Sequence, residues 1–492
     1  MEKHLRFNHF KGKRLHLGVC GSVAAFKVAE LVHRWQETGL TLSATLTSAA
    51  RQFIGPLTFE ALGASPVYGD MFSGEAPFEH LEPGQSAHAM IIAPATADII
   101  ARLAQGRADD MLSAQALGFD GPIVVAPAMN PRMWSNPATQ ANVATLKERG
   151  FIFVGPDSGV VACHDEGRGR LADLRMIYLA ALKALTPQDM EGQTVMLTLG
   201  PTRETWDDVR FWTNASTGSM GASIAVAAWL RGAEVHAVCG PVDIWLPDDA
   251  SFHRHNVVSA RQMLETARRL WPSATAGVFT AAVADFSPEP HGPGKFKKDR
   301  AEDGFTLNFL PNADILRTLA EERSEGQVIV GFAAESAPDM EALGAAVRHK
   351  LSYKGADMIV GNRIADGFVR AANRVYVADV QGREELWPEM PKPEVAWNII
   401  DWLHTLAVRG NYERIRAPRA ALDQGRAERA PHGKRGAGPC SARRFRWEGT
   451  GAERARRRSC PCVPAFCAAP VCRACAPCPE SCTRRSPCSC RA

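Results

Sequence analysis

Short apolar, β-branched runs alternate with segments of helical periodicity along most of this chain, and this alternation restricts the fold more than any other feature. Runs at Leu42–Leu46, Met90–Ala93 and Ile123–Ala126 have the composition of strands, and helical patterns separate them. Repeated βα units predict a parallel sheet with helices on both faces. We therefore expect an α/β fold whose first half is a doubly wound, Rossmann-like domain.

The same alternation returns in the second half and predicts a second α/β sheet, in another doubly wound, Rossmann-like domain. A chain of 492 residues is too long for one core. We place a first domain at residues 12–188 and a second at residues 190–410. The strands predicted for the second sheet are Thr194–Leu199, Glu234–Cys239, Val278–Thr280, Val328–Phe332 and Met358–Val360.

Residues 415–492 form a tail of different composition. The tail holds 17 Lys and Arg against five Asp and Glu, and ten of the 13 cysteines lie between Cys440 and Cys490. The Cys-x-x-Cys-x-x-Cys spacing from Cys472 to Cys478 is compatible with zinc, although no second pair or histidine accompanies it. The arginines are compatible with nucleic-acid binding. We favour a third interpretation, an out-of-frame, disordered extension without function.

The rest of the chain has the composition of a cytoplasmic protein. The segment Met1–Arg14 is polar and basic and lacks the apolar stretch of a signal peptide, and no apolar run is long enough for a membrane helix. Only Cys20, Cys163 and Cys239 precede the tail, as expected for a protein with reduced thiols. We expect a cytoplasmic location, with neither a membrane nor a nucleic acid as partner.

A loop of small residues follows the first predicted strand. Gly21 and Ser22 would let the backbone approach an anion at the start of the next helix. The third glycine and the acidic residue of the dinucleotide fingerprint are missing, so a mononucleotide or flavin phosphate fits better, with a plain βα turn as the alternative. Thr96 precedes another helix, where it would cap the helix or contact a ligand, and capping is the interpretation we favour.

Three further residues of the first half are candidates for chemistry. His80 lies in a predicted exposed loop, where an imidazole acts as a base near neutral pH or is merely solvated. Asn130 belongs to Ala126–Trp134, whose prolines predict an ordered loop at the carboxyl end of a strand, the usual ligand position in doubly wound sheets. It would hold a carboxylate or simply order its own loop. Cys163 lies in the glycine-rich segment Asp157–Arg170, a predicted flap, and is a candidate acid or nucleophile. A buried structural thiol is the alternative.

Polar residues of the second half suggest a phosphate site. A hydroxyl-rich turn opens the helix that ends near Arg231, and by composition a dinucleotide is a fair rival ligand. Asp285 follows a predicted strand, where a ligand or Mg²⁺ contact is common. Lys350 and Lys354 share one helix face and would repel each other unless an anion lay between them. Lysines at 295, 297 and 298 and the triplet Asn312-Ala313-Asp314 complete a set that a triphosphate explains.

The motifs of both halves, in order, resemble one known arrangement. Gly-Ser-Val-Ala-Ala-Phe-Lys, Ala-Pro-Ala-Thr-Ala-Asp, Pro-Ala-Met-Asn-Pro-Arg-Met-Trp and Ala-Cys-x-x-x-Gly-x-Gly-Arg are similar to those of flavin-containing phosphopantothenoylcysteine decarboxylases. Gly-Pro-Thr-Arg-Glu, Ala-Ala-Val-Ala-Asp, Lys-x-Lys-Lys and Gly-Phe-Ala-Ala-Glu resemble phosphopantothenate–cysteine ligases. Decarboxylase followed by ligase is the order found in bacterial bifunctional enzymes of coenzyme A biosynthesis.

The resemblance implies a ligase that joins 4′-phosphopantothenate to L-cysteine with CTP and Mg²⁺, through an acyl-cytidylate. By motif position, Arg210 and Asn214 would hold the acyl intermediate, and Asp285 would also contact Mg²⁺. The positions matching nucleotide contacts are Ala281, Asp285, Lys295, Ala313, Asp314, Ile315, Leu316, Phe332, Lys350 and Lys354.

For the first half, the resemblance implies an FMN-dependent decarboxylase that yields 4′-phosphopantetheine. FMN would be bound by residues including Gly21, Ser22 and Thr96. His80 matches the family's base, Asn130 the residue that orients the carboxylate, and Cys163 the acid that protonates the enethiolate. The resemblance also implies homo-oligomers, decarboxylase trimers joined through ligase dimers, up to a dodecamer, with active sites between subunits.

The chain departs from the family pattern at several positions. The family has lysine where this chain has Ser219, glycine where it has His164, and Trp-Ala-Asp where it has Ser86-Ala87-His88. Leu199 replaces a usual alanine. None of these changes removes a catalytic position, but Ser219 would weaken phosphate binding in the ligase.

Two other functions fit parts of the sequence. One is a single-function flavin decarboxylase that acts on peptide C-termini, which the ligase-like second half argues against. The other is a non-catalytic, flavin-binding regulatory protein, which the presence of His80, Asn130 and Cys163 argues against.

Overall fold

The computed structural model describes residues 1–72, 77–297, 304–367 and 372–408. The predicted tail and Lys298 therefore lie outside the described residues. Within those four ranges, no helix combines the length and apolarity needed to cross a bilayer.

The first half forms a six-stranded parallel sheet in the order β3-β2-β1-β4-β5-β6. Apart from the two-residue β3, this is the strand order of flavodoxin-like folds, so the predicted doubly wound sheet is confirmed. Leu15, Leu17 and Val19 of β1 are fully buried, as expected of a central parallel strand. The strands are β1 Arg14–Val19, β2 Thr41–Leu46, β3 Val67–Tyr68, β4 Ala89–Ala95, β5 Ile123–Pro127 and β6 Ile152–Phe153.

Helices cover both faces of this sheet. In the first helix Val28, Leu31, Val32 and Trp35 are buried, as their spacing predicts. The helices are α1 Ala25–Gln36, α2 Pro56–Ala61, α3 Glu82–Ser86, α4 Ala97–Gln105, α5 Met111–Leu117, α6 Pro131–Ser135, α7 Pro137–Glu148 and α8 Leu174–Leu185. A separate hairpin, β7 Asp157–Val160 and β8 Glu166–Arg170, corresponds to the predicted flap.

The second half forms an eight-stranded sheet in the order β13-β12-β9-β14-β17-β18-β19-β20. The pairs are parallel up to β18, and the last two strands are antiparallel. The strand order changes direction between β9 and β14, which is where doubly wound sheets bind ligands. The strands are β9 Thr194–Leu199, β12 Glu234–Cys239, β13 Phe252–Asn256, β14 Ala276–Phe279, β17 Val328–Glu335, β18 Met358–Arg363, β19 Ala372–Asp379 and β20 Glu384–Pro391.

Two short antiparallel pairs project beside this sheet. They carry half-exposed aromatic side chains, among them Trp212 and Phe286. The pairs are β10 Arg203–Thr205 with β11 Phe211–Thr213, and β15 Phe286–Pro288 with β16 Phe309–Pro311. The helices of this half are α9 Ser219–Leu230, α10 Ala260–Leu270, α11 Ile315–Glu321, α12 Met340–Lys354, α13 Ile364–Gly367 and α14 over residues 392–408.

The N-terminal segment packs on the second half of the chain. The His4 imidazole is hydrogen-bonded to the Trp245 carbonyl at 2.8 Å, and Ser223 Oγ donates to the His4 carbonyl at 3.2 Å. The His9 ring stacks on Trp397 with ring centres 4.6 Å apart. Residues that precede β1 in the chain therefore link the two sheets.

Candidate active sites

Asn130 is the centre of the candidate site in the first half. It follows β5 and caps α6, because its Oδ1 accepts a hydrogen bond from the Arg132 backbone N–H at 2.8 Å. Its Nδ2 donates to Cys163 Sγ at 3.1 Å. The structure thus brings together two of the three residues predicted to carry chemistry.

The loop prediction for Ala126–Trp134 was partly wrong. Pro131 begins the short helix α6, because proline is favoured at the first helical position, where its missing N–H costs nothing. The irregular segment is therefore limited to the few residues before Pro131. This shortness helps to fix the position of Asn130.

The flap lies directly on this segment. Met129 N–H donates to the Gly169 carbonyl at 2.9 Å, and a Cβ atom at Gly169 would lie only 2.4 Å from the Met129 carbonyl oxygen. Only glycine permits this close approach. Cys163, at the tip of the hairpin, is exposed, so the alternative of a buried structural thiol is wrong.

Asp165, a site residue that no sequence motif indicated, completes this cluster. Its Oδ2 accepts from Asn130 Nδ2 at 2.6 Å, and Arg132 lies 3.6 Å from its other oxygen. The hydrogen bond from Asn130 and the charge of Arg132 hold the pKa of the Asp165 carboxyl below its usual value. The Asn130 amide therefore has the geometry to hold a carboxylate.

His80 is placed less directly. It is half-buried in the turn before α3, and Gln115 Nε2 donates to the neighbouring Glu79 carbonyl at 3.2 Å. Within the described part of the chain, no hydrogen bond or ion pair joins His80 to Asn130 or Cys163.

The residues predicted to bind flavin lie at the point where the first sheet changes direction. Ser22 follows β1 and Thr96 follows β4, and these strands are neighbours. Thr96 caps α4 by accepting from Ile99 N–H at 3.4 Å, as predicted. Beside Ser22 the Phe26 side chain is 61% exposed. Hydroxyl groups next to open apolar surface fit a ligand with a phosphate and a flat ring.

In the second half, a cavity of about 240 Å³ lies beyond the carboxyl ends of β9 and β14. Nine of the ten predicted nucleotide contacts line it, the exception being Lys295. The Asp285 carboxylate is at its rim, on the connection between β14 and β15 rather than at the strand end as predicted, because β14 stops at Phe279.

The predicted repulsion between Lys350 and Lys354 is absent. Lys350 Nζ lies 2.5 Å from Glu335 Oε1, and Lys354 forms a short contact with the Asp314 carboxylate. The lysines share a helix face, as predicted, but protein carboxylates already compensate their charges. The two lysines therefore do not require an anion between them, and that reason for predicting a phosphate here was incorrect. Both ammonium groups nevertheless line the cavity.

Arg210 and Lys295 lie on a different part of the second half. Arg210 contacts Asp207 at 3.0 Å and the Phe296 carbonyl at 3.4 Å, so it anchors the loop that carries Lys295. Asn214 is nearer to the cavity, since its Nδ2 donates to the Val283 carbonyl at 3.0 Å. Among the described residues, no side-chain hydrogen bond involves its Oδ1.

A second cavity, of about 150 Å³, adjoins the first and shares Ala281, Ala282 and Phe332 with it. The N-terminal turn of α9 and the side chain of Lys392 line this cavity. Lys392 is only 8% exposed, and its Nζ donates to Ser219 Oγ at 3.0 Å. Burial lowers the pKa of Lys392 from its usual value.

Both halves match known protein families. Residues 6–185 match the Flavoprotein family, and residues 190–406 match the DNA/pantothenate metabolism flavoprotein C-terminal domain. The coenzyme A biosynthesis bifunctional protein CoaBC of Vibrio vulnificus strain YJ016 is 36% identical over 400 residues, which cover 80% of this chain and 98% of the relative. The chain belongs to the CoaBC family.

A second curated relative agrees with this assignment. CoaBC of Bacillus subtilis strain 168 is 37% identical over 400 residues, covering 80% of this chain and 96% of that protein. A solved C-terminal domain of a CoaBC protein is 32% identical and covers 44% of this chain and 97% of that chain, with a TM-score of 0.37. The family members named here are bifunctional, so neither the single-function decarboxylase nor the regulatory protein is supported. The chain is a flavoprotein decarboxylase joined to a phosphopantothenate–cysteine ligase in coenzyme A biosynthesis.

One departure from the CoaBC pattern, His164, has a conformational cost. His164 has a φ of 65°, in the left-handed region that favours glycine, and its N–H donates to the Val161 carbonyl at 2.9 Å. A side chain in this conformation costs roughly 1–2 kcal/mol. The glycine expected at this position would close the same turn without that cost.

Proposed function

We propose that the ligase half activates 4′-phosphopantothenate with CTP and Mg²⁺ and joins it to L-cysteine, and that the decarboxylase half, with FMN, converts the product to 4′-phosphopantetheine. The contact of Asn130 with Cys163 carries the decarboxylase part of this proposal. CTP, rather than another nucleotide, is inferred from the family resemblance. A cytoplasmic location remains a prediction from the sequence.

In the decarboxylase, we assign substrate positioning to Asn130 and proton donation to Cys163. The Asn130 amide now donates to the Asp165 carboxylate at 2.6 Å, and a substrate carboxylate would take the same hydrogen bond. Cys163 Sγ lies beside that amide and would deliver a proton to the substrate after CO₂ has left. Bound FMN would supply reversible oxidation of the cysteine moiety, which makes the carboxylate easier to lose.

We propose that a second copy of the chain completes both sites. His80 and Lys295 match functional residues of the family but lie apart from the clusters described above. The short antiparallel pairs β10–β11 and β15–β16 expose Trp212 and Phe286. Exposed apolar patches of this kind mark protein interfaces. Trimers of the decarboxylase half and dimers of the ligase half would cover them, and light scattering of the purified protein measures the assembly.

In the ligase, the larger cavity is assigned to the nucleotide. Lys350 and Lys354 would stabilise the charge that develops on the phosphates, once their carboxylate partners shift toward Mg²⁺ or water. Asp285 offers one exposed carboxylate, and Mg²⁺ bound to phosphates commonly takes only one or two protein carboxylates. The residues present therefore fit a metal–nucleotide complex.

The smaller cavity is assigned to the phosphate of 4′-phosphopantothenate. Backbone N–H groups at the start of α9 favour an anion there. Lys392, buried beside Ser219, would supply the cation that the family carries at position 219. Because the two cavities share Ala281, Ala282 and Phe332, an acyl-nucleotide would span them.

The proposal is tested with purified protein, 4′-phosphopantothenate, L-cysteine, CTP and Mg²⁺. We expect 4′-phosphopantetheine, CO₂, CMP and pyrophosphate, detected by mass spectrometry, and no product when CTP is omitted. Replacing CTP with ATP tests the nucleotide. Failure to form either 4′-phosphopantothenoylcysteine or 4′-phosphopantetheine would contradict the assignment.

Truncation after Val408 is expected to leave both activities within about twofold of the full chain. The described residues end there and already form both cavities and the Asn130–Cys163 pair. The two product-formation rates are compared for the truncated and full-length proteins. Loss of either activity would show that the tail has a function.

A further inference from the structure

Three histidines and a glutamate lie together at the edge of the second sheet, away from both cavities. His236 on β12 is in register with His253 on the terminal strand β13, so their side chains share one face of the sheet. Their rings stack with centres 4.6 Å apart. Glu234, two positions before His236, faces the same side. It is the first residue of β12, whereas the cavities lie beyond the opposite ends of the strands.

Two distances in this cluster are those of a metal site. Glu234 Oε1 lies 3.4 Å from His236 Nε2 and 3.2 Å from His253 Nε2. The three residues each offer a ligand atom within 4.8 Å of the other two. Zn–N and Zn–O bonds of about 2.0–2.1 Å in a tetrahedron place ligand atoms about 3.4 Å apart. An ion would thus fit with little movement of the side chains.

His255 adds an outer contact of the kind that metal-binding histidines use. His236 Nδ1 lies 3.1 Å from His255 Nε2, on the side of the ring opposite Glu234. If Nε2 of His236 binds a metal, its Nδ1 carries the proton and donates a hydrogen bond to His255 Nε2. This hydrogen bond fixes the orientation and the tautomer of the His236 ring.

We propose that Glu234, His236 and His253 bind one Zn²⁺ ion or a similar divalent transition-metal ion, with His255 as a positioning residue. Two imidazoles and a carboxylate are a known zinc ligand set, and water would fill the fourth position. The ion would join β12 to the edge strand β13. It would stabilise the sheet without taking part in either reaction.

The test uses the full chain, purified without a polyhistidine tag, treated with a chelator and then with iodoacetamide, so that the cysteines cannot bind metal. Titration with Co²⁺ is expected to give one equivalent of visible d–d absorption per chain, without sulfur charge-transfer bands, and Zn²⁺ should displace it. Glu234→Gln, His236→Ala and His253→Ala should each weaken Co²⁺ binding by more than tenfold. Circular dichroism shows whether each variant is folded.

His33→Ala is the matched control, because His33 and Glu37 form a histidine–carboxylate pair that has no third ligand among the residues that the structure describes. This variant should bind Co²⁺ like the wild type. His255→Gln should weaken binding by about 10-fold to 100-fold while keeping the absorption bands of the wild type. The proposal would be overturned if folded Glu234→Gln and His253→Ala bound Co²⁺ with wild-type affinity. It would also be overturned if the alkylated wild-type chain gave no d–d absorption.

Discussion

Cys163→Ser is expected to lower the rate of 4′-phosphopantetheine formation by at least about 100-fold, the lower end of what general-acid catalysis contributes. An alcohol is a much weaker acid than a thiol, so the variant would release CO₂ but fail to protonate the intermediate. Serine retains a hydrogen-bonding partner for Asn130, which contacts Cys163 Sγ at 3.1 Å, so the position of the flap should change little.

Rapid-quench mass spectrometry with 4′-phosphopantothenoylcysteine as substrate measures this effect. The variant should accumulate an oxidised, decarboxylated product, with CO₂ released in amounts close to the enzyme concentration. Formation of 4′-phosphopantothenoylcysteine by the same variant is the internal control, because Cys163 lies outside both ligase cavities. Turnover at the wild-type rate would remove Cys163 from the mechanism.

Lys392→Met is expected to reduce the ligase kcat/KM for 4′-phosphopantothenate by roughly 10-fold to 100-fold, because a hydrogen bond to a charged group contributes about 1.5–3 kcal/mol. Methionine has nearly the same length but removes the ammonium group, and with it the charge and the hydrogen bond to Ser219 Oγ. Lys392 is buried, and among the described residues its ammonium group has a hydrogen bond to Ser219 but no carboxylate partner, so its loss should not destabilise the fold. Most of the effect should appear in KM, since the phosphate is remote from the reacting carboxyl group.

Steady-state kinetics with two substrates separates a phosphate contact from general damage. Wild type and Lys392→Met should use pantothenate, which lacks the phosphate, equally poorly. Lys392→Arg should retain most of the activity. The double variant Ser219→Lys, Lys392→Met returns a cation to the family position and should recover much of the loss. An equal loss on pantothenate would show that Lys392 does not recognise the phosphate.

The strands next to the centre of the second sheet were predictable because most of their residues are apolar and buried. β9 is buried after its first residue, and β12 is buried except at Glu234 and His236; both have the predicted bounds. The antiparallel strands β19 and β20 were missed. β20 contains two prolines and three glutamates and has no regular burial period, so its sequence resembles a loop more than a strand.

Of the candidate sites, only the residues that belong to sequence motifs were predictable; their contacts and partners were not. Cys163 and Asn130 are separated by 33 positions, and their contact depends on a flap whose glycines suggest mobility but not where it lies. Lys392 is 173 positions from Ser219 and belongs to no recognised motif. The carboxylate partners of Lys350 and Lys354 come from other elements, so helical spacing alone could not reveal them.

The amino-terminal segment has a consequence for how the two enzymes can be separated. Phe7 is fully buried, and His4 and His9 contact Trp245 and Trp397 of the ligase half. Cutting the chain between the two family matches would leave these first residues on the decarboxylase. The apolar surface of the ligase that they cover would then be exposed. We therefore expect residues 1–10, supplied as a peptide, to stabilise a ligase fragment of this chain, and a bulky tag fused to Met1 to disturb the ligase before the decarboxylase.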